Sequence, residues 1–312
     1  MTTDRRALLK GVAAGAAVAA AGVAAPAEAR VRKEAPANAV GLLYDTTKCI
    51  GCKTCVVACR RANDMPVDTS NSEGALWDTP SDLNAKTRNI IKLYKDPDGP
   101  ERSYFKAQCM HCIDPACVGA CMIGALQKRE FGIVTYKSEY CSGCRYCQVA
   151  CPFEIPKFEW EKLAPKIVKC ELCNHRLAEG KQPGCTEVCP RKAVIYGKHA
   201  DLLAEAKRRI AENPKKYKGY RKGDPPSVYG AVEGGGTQVL YLSHVPHEKL
   251  GLPDLGTEPV PEIAQTVQHG IYQGFLAPAA LYVGLAAVVV RNRKKAGTGE
   301  AGRETGVKGG KP

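Results

Sequence analysis

The chain has 312 residues, with 31 glycines, 21 prolines and 6% aromatics. That composition excludes a scaffold of long regular elements and leaves much of the backbone to loops. The formal charge of +13 is spread along the sequence, which argues against a nucleic-acid partner and for a solvated basic tail.

The first segment reads Asp4-Arg5-Arg6-Ala7-Leu8-Leu9-Lys10, then a run of Ala, Gly and Val to Ala25, then Ala27-Glu28-Ala29. Paired arginines, an apolar stretch and an A-x-A cleavage site predict a twin-arginine signal peptide over 1–29. Such export moves folded protein, so thiols destined for iron would escape oxidation to disulfides. Residues 30–43 read as a linker.

Cys49, Cys52, Cys55 and Cys59 then form a C-x2-C-x2-C-x3-C run. The polar stretch Asn63 to Arg102 reads as loop and surface contact. A second group follows at Cys109, Cys112, Cys117 and Cys121, with one gap widened. Next come Ala125-Leu126, a turn through Gly132 and Ile133-Val134-Thr135-Tyr136, which predict a small hairpin. The third group, Cys141, Cys144, Cys147 and Cys151-Pro152, repeats the first spacing. The fourth, Cys170, Cys173, Cys185 and Cys189-Pro190, again widens one gap, and Ala193 to Tyr196 after it echoes the hairpin. All sixteen cysteines fall in these groups.

The run of three close cysteines with a fourth three residues later is the bacterial 4Fe-4S ligation pattern. Zinc would explain pairs of C-x2-C but neither the third cysteine in series nor the recurrent fourth. Disulfides require no such local crowding. In two-cluster ferredoxins the fourth cysteine serves the neighbouring cluster, so the groups act in pairs. Sequence alone allows consecutive or nested pairing. Cys59 and Cys121 lack the following proline that fixes the backbone after Cys151 and Cys189, which puts the local loop geometry there in doubt. His111, inside the second group, is expected beside a cluster rather than on it.

Asp201 to Asn213 carries Leu202, Leu203, Ala206 and Ile210 at helical spacing. Gly234-Gly235-Gly236 lacks the context of a phosphate loop, and Thr237 to Ser243 reads as a strand. Ile271 to Val290 is twenty residues without a charge, long enough to cross a bilayer. Arg291, Arg293, Lys294 and Lys295 follow, which predicts a cytoplasmic C-terminus and a cysteine domain on the outer, periplasmic side of the cytoplasmic membrane.

Six stretches carry a family resemblance: Gly41 to Asp45 (GLLYD), Gln108 to Cys112 (QCMHC), Cys144 to Cys147 (CRYC), Lys169 to Asn174 (KCELCN), Glu233 to Val239 (EGGGTQV) and Gln268-His269. With the signal and anchor, they make the chain similar to the iron-sulfur subunits of membrane-bound nickel-iron hydrogenases. Formate dehydrogenase beta subunits and related partners of molybdenum enzymes are the alternative. The export signal on this chain favours the hydrogenase type, since in the formate enzyme the catalytic partner typically carries it.

The resemblance implies an α+β, loop-rich fold of two ferredoxin-like modules plus one C-terminal transmembrane helix, holding four [4Fe-4S] clusters in nested pairing. The outer module would use Cys49, Cys52, Cys55 with Cys189, and Cys170, Cys173, Cys185 with Cys59. The inner would use Cys109, Cys112, Cys117 with Cys151, and Cys141, Cys144, Cys147 with Cys121. The implied segments are 30–102 and 161–199 for the outer module, 103–160 for the inner, 200–270 for an extension toward the membrane, 271–290 for the span and 291–312 for the tail. The implied partners are hydrogenase small and large subunits, an integral membrane quinone-reducing subunit and the lipid bilayer. The chain shows no nickel ligands, dinucleotide fingerprint or acid-base pair, so catalysis is assigned to those partners.

Overall fold

The computed structural model describes residues 33–67, 82–261 and 282–291. Within it a three-stranded sheet forms where the sequence suggested a linker. β1 (Val40–Asp45) is buried along its whole length. It pairs antiparallel with β8 (Val194–Lys198), Leu42 facing Tyr196, and parallel with β9 (Val239–Leu242), Leu42 facing Val239. A central strand covered on both faces reads as a continuous apolar run, which is why Val40 to Tyr44 lacks the alternation of a surface strand. At Gly41 a Cβ would lie 1.9 Å from the Gln238 carbonyl oxygen, so only glycine lets β9 approach.

Alternation resumes in how the two faces are used. Leu43, Leu240 and Leu242 pack with Leu202, Ala206 and Tyr217, covered by the helix His199–Glu212. That helix lies within two residues of its expected bounds. Leu42, Tyr44, Val194, Val239 and Tyr241 turn the other way, into a core that includes Cys109, Cys170, Leu172 and Cys185. The sheet thus divides an ordinary helix-packed core from a cysteine-bearing one. On the helix side, buried Asp45 ties the sheet to its cover, accepting from Thr47 Oγ1 at 2.6 Å, Tyr217 OH at 3.1 Å and Arg209 at 3.1 Å.

The described part of the polar stretch after the first group is also more ordered than expected. β2 (Asn89–Lys95) and β3 (Arg102–Gln108) pair antiparallel from Asn89 with Gln108 to Lys95 with Arg102. Tyr44 OH donates to the Tyr104 carbonyl at 2.9 Å and Tyr241 OH to that of Lys106 at 2.6 Å, pinning β3 to the sheet. The expected hairpin is present as β4 (Leu126–Lys128) with β5 (Val134–Tyr136). Its echo, β8, is a strand too but pairs with β1 from the start of the chain. A further short pair joins β6 (Lys157–Phe158) to β7 (Ile167–Val168).

Short helices carry the cysteines. α1 (Thr54–Ala62) holds Cys55 and Cys59, α2 (Ala116–Gly119) Cys117, α3 (Tyr146–Val149) Cys147 and α5 (Gly184–Glu187) Cys185. α4 (Asn174–Ala178) begins directly after Cys173, and the long helix over His199–Glu212 is α6. α1 packs on α5, from the first and fourth groups, and α2 packs on α3, from the second and third. A Cβ on Gly184 would sit 3.2 Å from the Ala58 carbonyl, which measures how closely the first pair of helices approaches.

Residues 1–29, the expected signal peptide, lie outside the described residues, as do 271–281 of the predicted span. Residues 282–291 are helical with exposed side chains. Among the described residues no helix is long and apolar enough to cross a membrane.

Candidate iron-sulfur centres

The four cysteine groups share a backbone device that their sequences hide. In each C-x-x-C the residue before the second cysteine has positive φ: Gly51 at 70°, His111 at 48°, Gly143 at 74° and Leu172 at 52°. Two are glycines, for which this conformation is free, whereas His111 and Leu172 adopt it at a cost of about 1–3 kcal/mol. The turn aims backbone N–H groups at sulfur. Gly51 N–H reaches Cys49 Sγ at 3.5 Å and Leu172 N–H reaches Cys170 Sγ at 3.4 Å. His111 N–H bonds to the Cys109 thiolate in the same way.

A second turn follows the fourth cysteine. Gly124, Glu154 and Lys192, each three residues beyond, have φ of 67°, 53° and 51°, and Ala193 N–H points at Cys189 Sγ at 3.2 Å. The proline is therefore dispensable after Cys121, where Gly124 makes the turn. It is replaced by a different geometry after Cys59, which lies inside α1 and whose helix runs on to Ala62. There Asn63 Nδ2 reaches both Cys59 Sγ at 3.6 Å and Cys173 Sγ at 3.9 Å.

The thiols assemble across groups. Cys49, Cys52, Cys55 and Cys189 line one pocket, and Cys121, Cys141, Cys144 and Cys147 line another. The thiols whose charges act on Cys59 are Cys170, Cys185 and Cys173. Those acting on Cys112 are Cys109, Cys151 and Cys117. These four quartets, here called the first, third, fourth and second sites, are nested; Cys189 stands with the first group and not with its own.

Charge contacts also order the sites. Cys109 of the second feels Cys170 of the fourth, and Cys117 of the second feels Cys147 of the third. Cys185 of the fourth feels Cys55 of the first, so the row runs first, fourth, second, third.

Burial raises these thiols when no metal is bound: Cys109 and Cys147 to about 11, Cys117 and Cys185 to about 12, and Cys59 higher still. Such groups are poor free nucleophiles, and a metal that binds them must displace their protons. Quartets of soft sulfur donors, with backbone N–H groups turned on the sulfurs, fit a [4Fe-4S] cubane.

Three lysines that sequence reasoning passed over serve these sites. Lys106 is fully buried and donates to Gln108 Oε1. Lys169, also buried, donates to the Val134 carbonyl at 2.5 Å and the Cys170 carbonyl at 3.0 Å. Lys128, pulled down to about 8 by burial, donates to the Cys112 carbonyl at 2.6 Å and Gln238 Oε1 at 3.1 Å. Gln238 also donates to the carbonyls of Val40 at 2.5 Å and Phe131 at 2.8 Å, joining the sheet to the inner hairpin. His111 is packed, its Nδ1 accepting from Val134 N–H at 3.1 Å. The lysines were legible only as charges on strand-like or cysteine-flanking stretches, a weak signal without the fold.

Comparison with known proteins agrees with this donor set. Residues 101–199 match the 4Fe-4S dicluster domain family. The chain is 40% identical to the Hydrogenase-2 operon protein HybA of Escherichia coli O157:H7, over 82% of this chain and 86% of that protein. The chain belongs to the ferredoxin-type iron-sulfur subunits that include HybA. The same family takes in the formate dehydrogenase-O iron-sulfur subunit of Escherichia coli K12, 37% identical over 80% of this chain and 79% of that one. The nitrate-inducible formate dehydrogenase iron-sulfur subunit of the same strain is 35% identical over 77% and 79%. The chain is thus an iron-sulfur electron-transfer subunit of the hydrogenase-2 or formate dehydrogenase type, a component of a multi-subunit oxidoreductase.

Proposed function

We propose that the sixteen cysteines hold four [4Fe-4S] clusters in the nested arrangement, and that the chain relays electrons between a periplasmic nickel-iron hydrogenase and a quinone-reducing membrane subunit. The observation that carries the reading is the assembly of four thiol quartets, each drawing its fourth member from a different group. When bound, each cluster supplies a one-electron redox centre.

The chain's own residues do the rest. The C-x-x-C loops present N–H groups to the sulfurs, stabilising negative charge there. The inner face of the sheet, through Leu42, Val239 and Tyr241, covers Cys170 and Cys185 of the fourth site and Cys109 of the second. Exposed Cys52 and Cys144 belong to the two ends of the row, the positions at which a partner's redox centre comes near. The HybA relative at 40% identity supports the hydrogenase over the formate enzyme, as does the twin-arginine signal on this chain. In this reading residues 1–29 are removed on export, 271–290 anchor the chain in the cytoplasmic membrane and 291–312 stay inside.

Anaerobic purification of the mature chain with its complex tests both halves. Iron and sulfide at about sixteen each per chain are expected from four cubanes, together with a co-purifying nickel-containing subunit. Iron near twelve, or one zinc per quartet, contradicts the cluster assignment. A molybdenum-containing partner in place of nickel contradicts the hydrogenase assignment and leaves the clusters standing.

A further inference from the structure

A fully buried ammonium costs several kcal/mol unless negative charge answers it. Lys106 is such a group, with no exposed surface. Its place on β3 shows what it faces. Alternate residues of a strand share a face, and Tyr104, two residues earlier, has its ring so close to Gly51 in the first cysteine loop that a Cβ there would come within 2.3 Å. Lys106 continues along that face, and its backbone is fixed by the Tyr241 hydroxyl at 2.6 Å. Gln108, next on the same face, gives Lys106 its amide oxygen and leaves its own Nε2 without a partner. The amide is therefore turned to serve the ammonium.

The charges that act most on Lys106 are thiols of two sites: Cys55 of the first, and Cys185, Cys170 and Cys59 of the fourth. Burial lowers the lysine's pKa, and these thiolates more than restore it. A thiolate-ligated cluster gains a further negative charge with each electron. In a medium of low dielectric constant that charge is felt strongly by a cation sealed in the shared wall.

We propose that Lys106 is a positioning residue for electron transfer, whose ammonium offsets the charge of an electron held at the first or fourth site and so raises the reduction potential of both. The proposal rests on the reading that the quartets hold clusters, which the iron content of the unmodified chain tests by itself. Lys169, against the Cys170 carbonyl and acting on Cys109, Cys117 and Cys151, provides an internal contrast at the next junction of the row.

The test is a redox titration of the full complex followed by electron paramagnetic resonance. Lys106→Met is expected to lower the reduced-to-oxidised ratio of the first and fourth sites at least tenfold at a fixed potential, which is 59 mV for a one-electron couple. The third-site signal stays where it was, and Lys106→Arg restores the outer pair. Lys169→Met is expected to move the second site instead of the first. If Lys106→Met loses iron, Lys106→Gln is titrated in its place. Iron loss in both neutral variants with retention in Lys106→Arg supports the charge requirement, and iron loss in Lys106→Arg as well overturns it. Unchanged outer potentials in an iron-replete neutral variant, or an equal shift at all four sites, also overturn it.

Discussion

The two middle sites and the two end sites differ in how far the protein withdraws them from water. Cys59, Cys170, Cys173 and Cys185 of the fourth site are all buried, and the second site has no exposed cysteine. The first and third sites each expose one, Cys52 and Cys144, at equivalent places in their C-x2-C-x2-C runs. Around the third site, Met122 is 80% and Val149 87% exposed. The buried lysines follow the same division, Lys106 at the junction of first and fourth, Lys169 at that of fourth and second. Exposure is sorted by position in the row and not by order in the sequence. Exposed ends and a sealed middle suit the proposed relay, in which partners meet the row at its ends.

Ligand substitution should break the comparison most forcefully. Cys59→Ser removes a buried sulfur from the middle of the row, and iron is expected to fall by about four per chain, with loss of the fourth-site resonance and a lower thermal midpoint. Cys52→Ser, at an exposed end, leaves an oxygen donor open to solvent and is expected to cost less stability. Equal losses would show that the middle is no better sealed than the ends.

Packing comes next. Leu240→Ala, in the fully buried β9, is expected to destabilise the holo chain by about 2–5 kcal/mol in anaerobic denaturant unfolding. Val149→Ala, beside the third site, should stay within about 0.5 kcal/mol. Gly41→Ala forces the Gln238 carbonyl away and should cost about 1–3 kcal/mol, releasing iron from the outer pair first. A small effect is also expected from the cation–π contact at the exposed end. Arg145 lies 4.6 Å over the Trp160 ring and 5.3 Å over Phe158, and Arg145→Ala should lose about 0.5–1 kcal/mol.

Much of this was legible in the sequence because cysteine spacing is a local property. The four groups, the Leu126 to Tyr136 hairpin and the amphipathic helix ending at Glu212 each declare themselves within a short window. What was missed is non-local. Val40 to Leu43 looked like a linker because a strand covered on both faces shows no alternation, and its partners lie about 150 and 200 residues away. β2 looked polar because Asn89 and the lysines of its far end say little until β3 pairs with it. Lys106 was invisible as a site residue, since a lysine in a strand is ordinarily solvated and only the fold seals this one. The prolines after Cys151 and Cys189 promised a turn that Gly124 makes equally well after Cys121, while at Cys59 the helix itself replaces it.

The central claim is the nested assembly of the quartets, and iron anomalous diffraction from crystals of the anaerobically purified complex tests it most directly. Four iron centres are expected in this chain, with Cys189 Sγ on the centre of Cys49, Cys52 and Cys55, and Cys59 Sγ on that of Cys170, Cys173 and Cys185. Cys189 on the centre of Cys170, or Cys59 on that of Cys109, would contradict it.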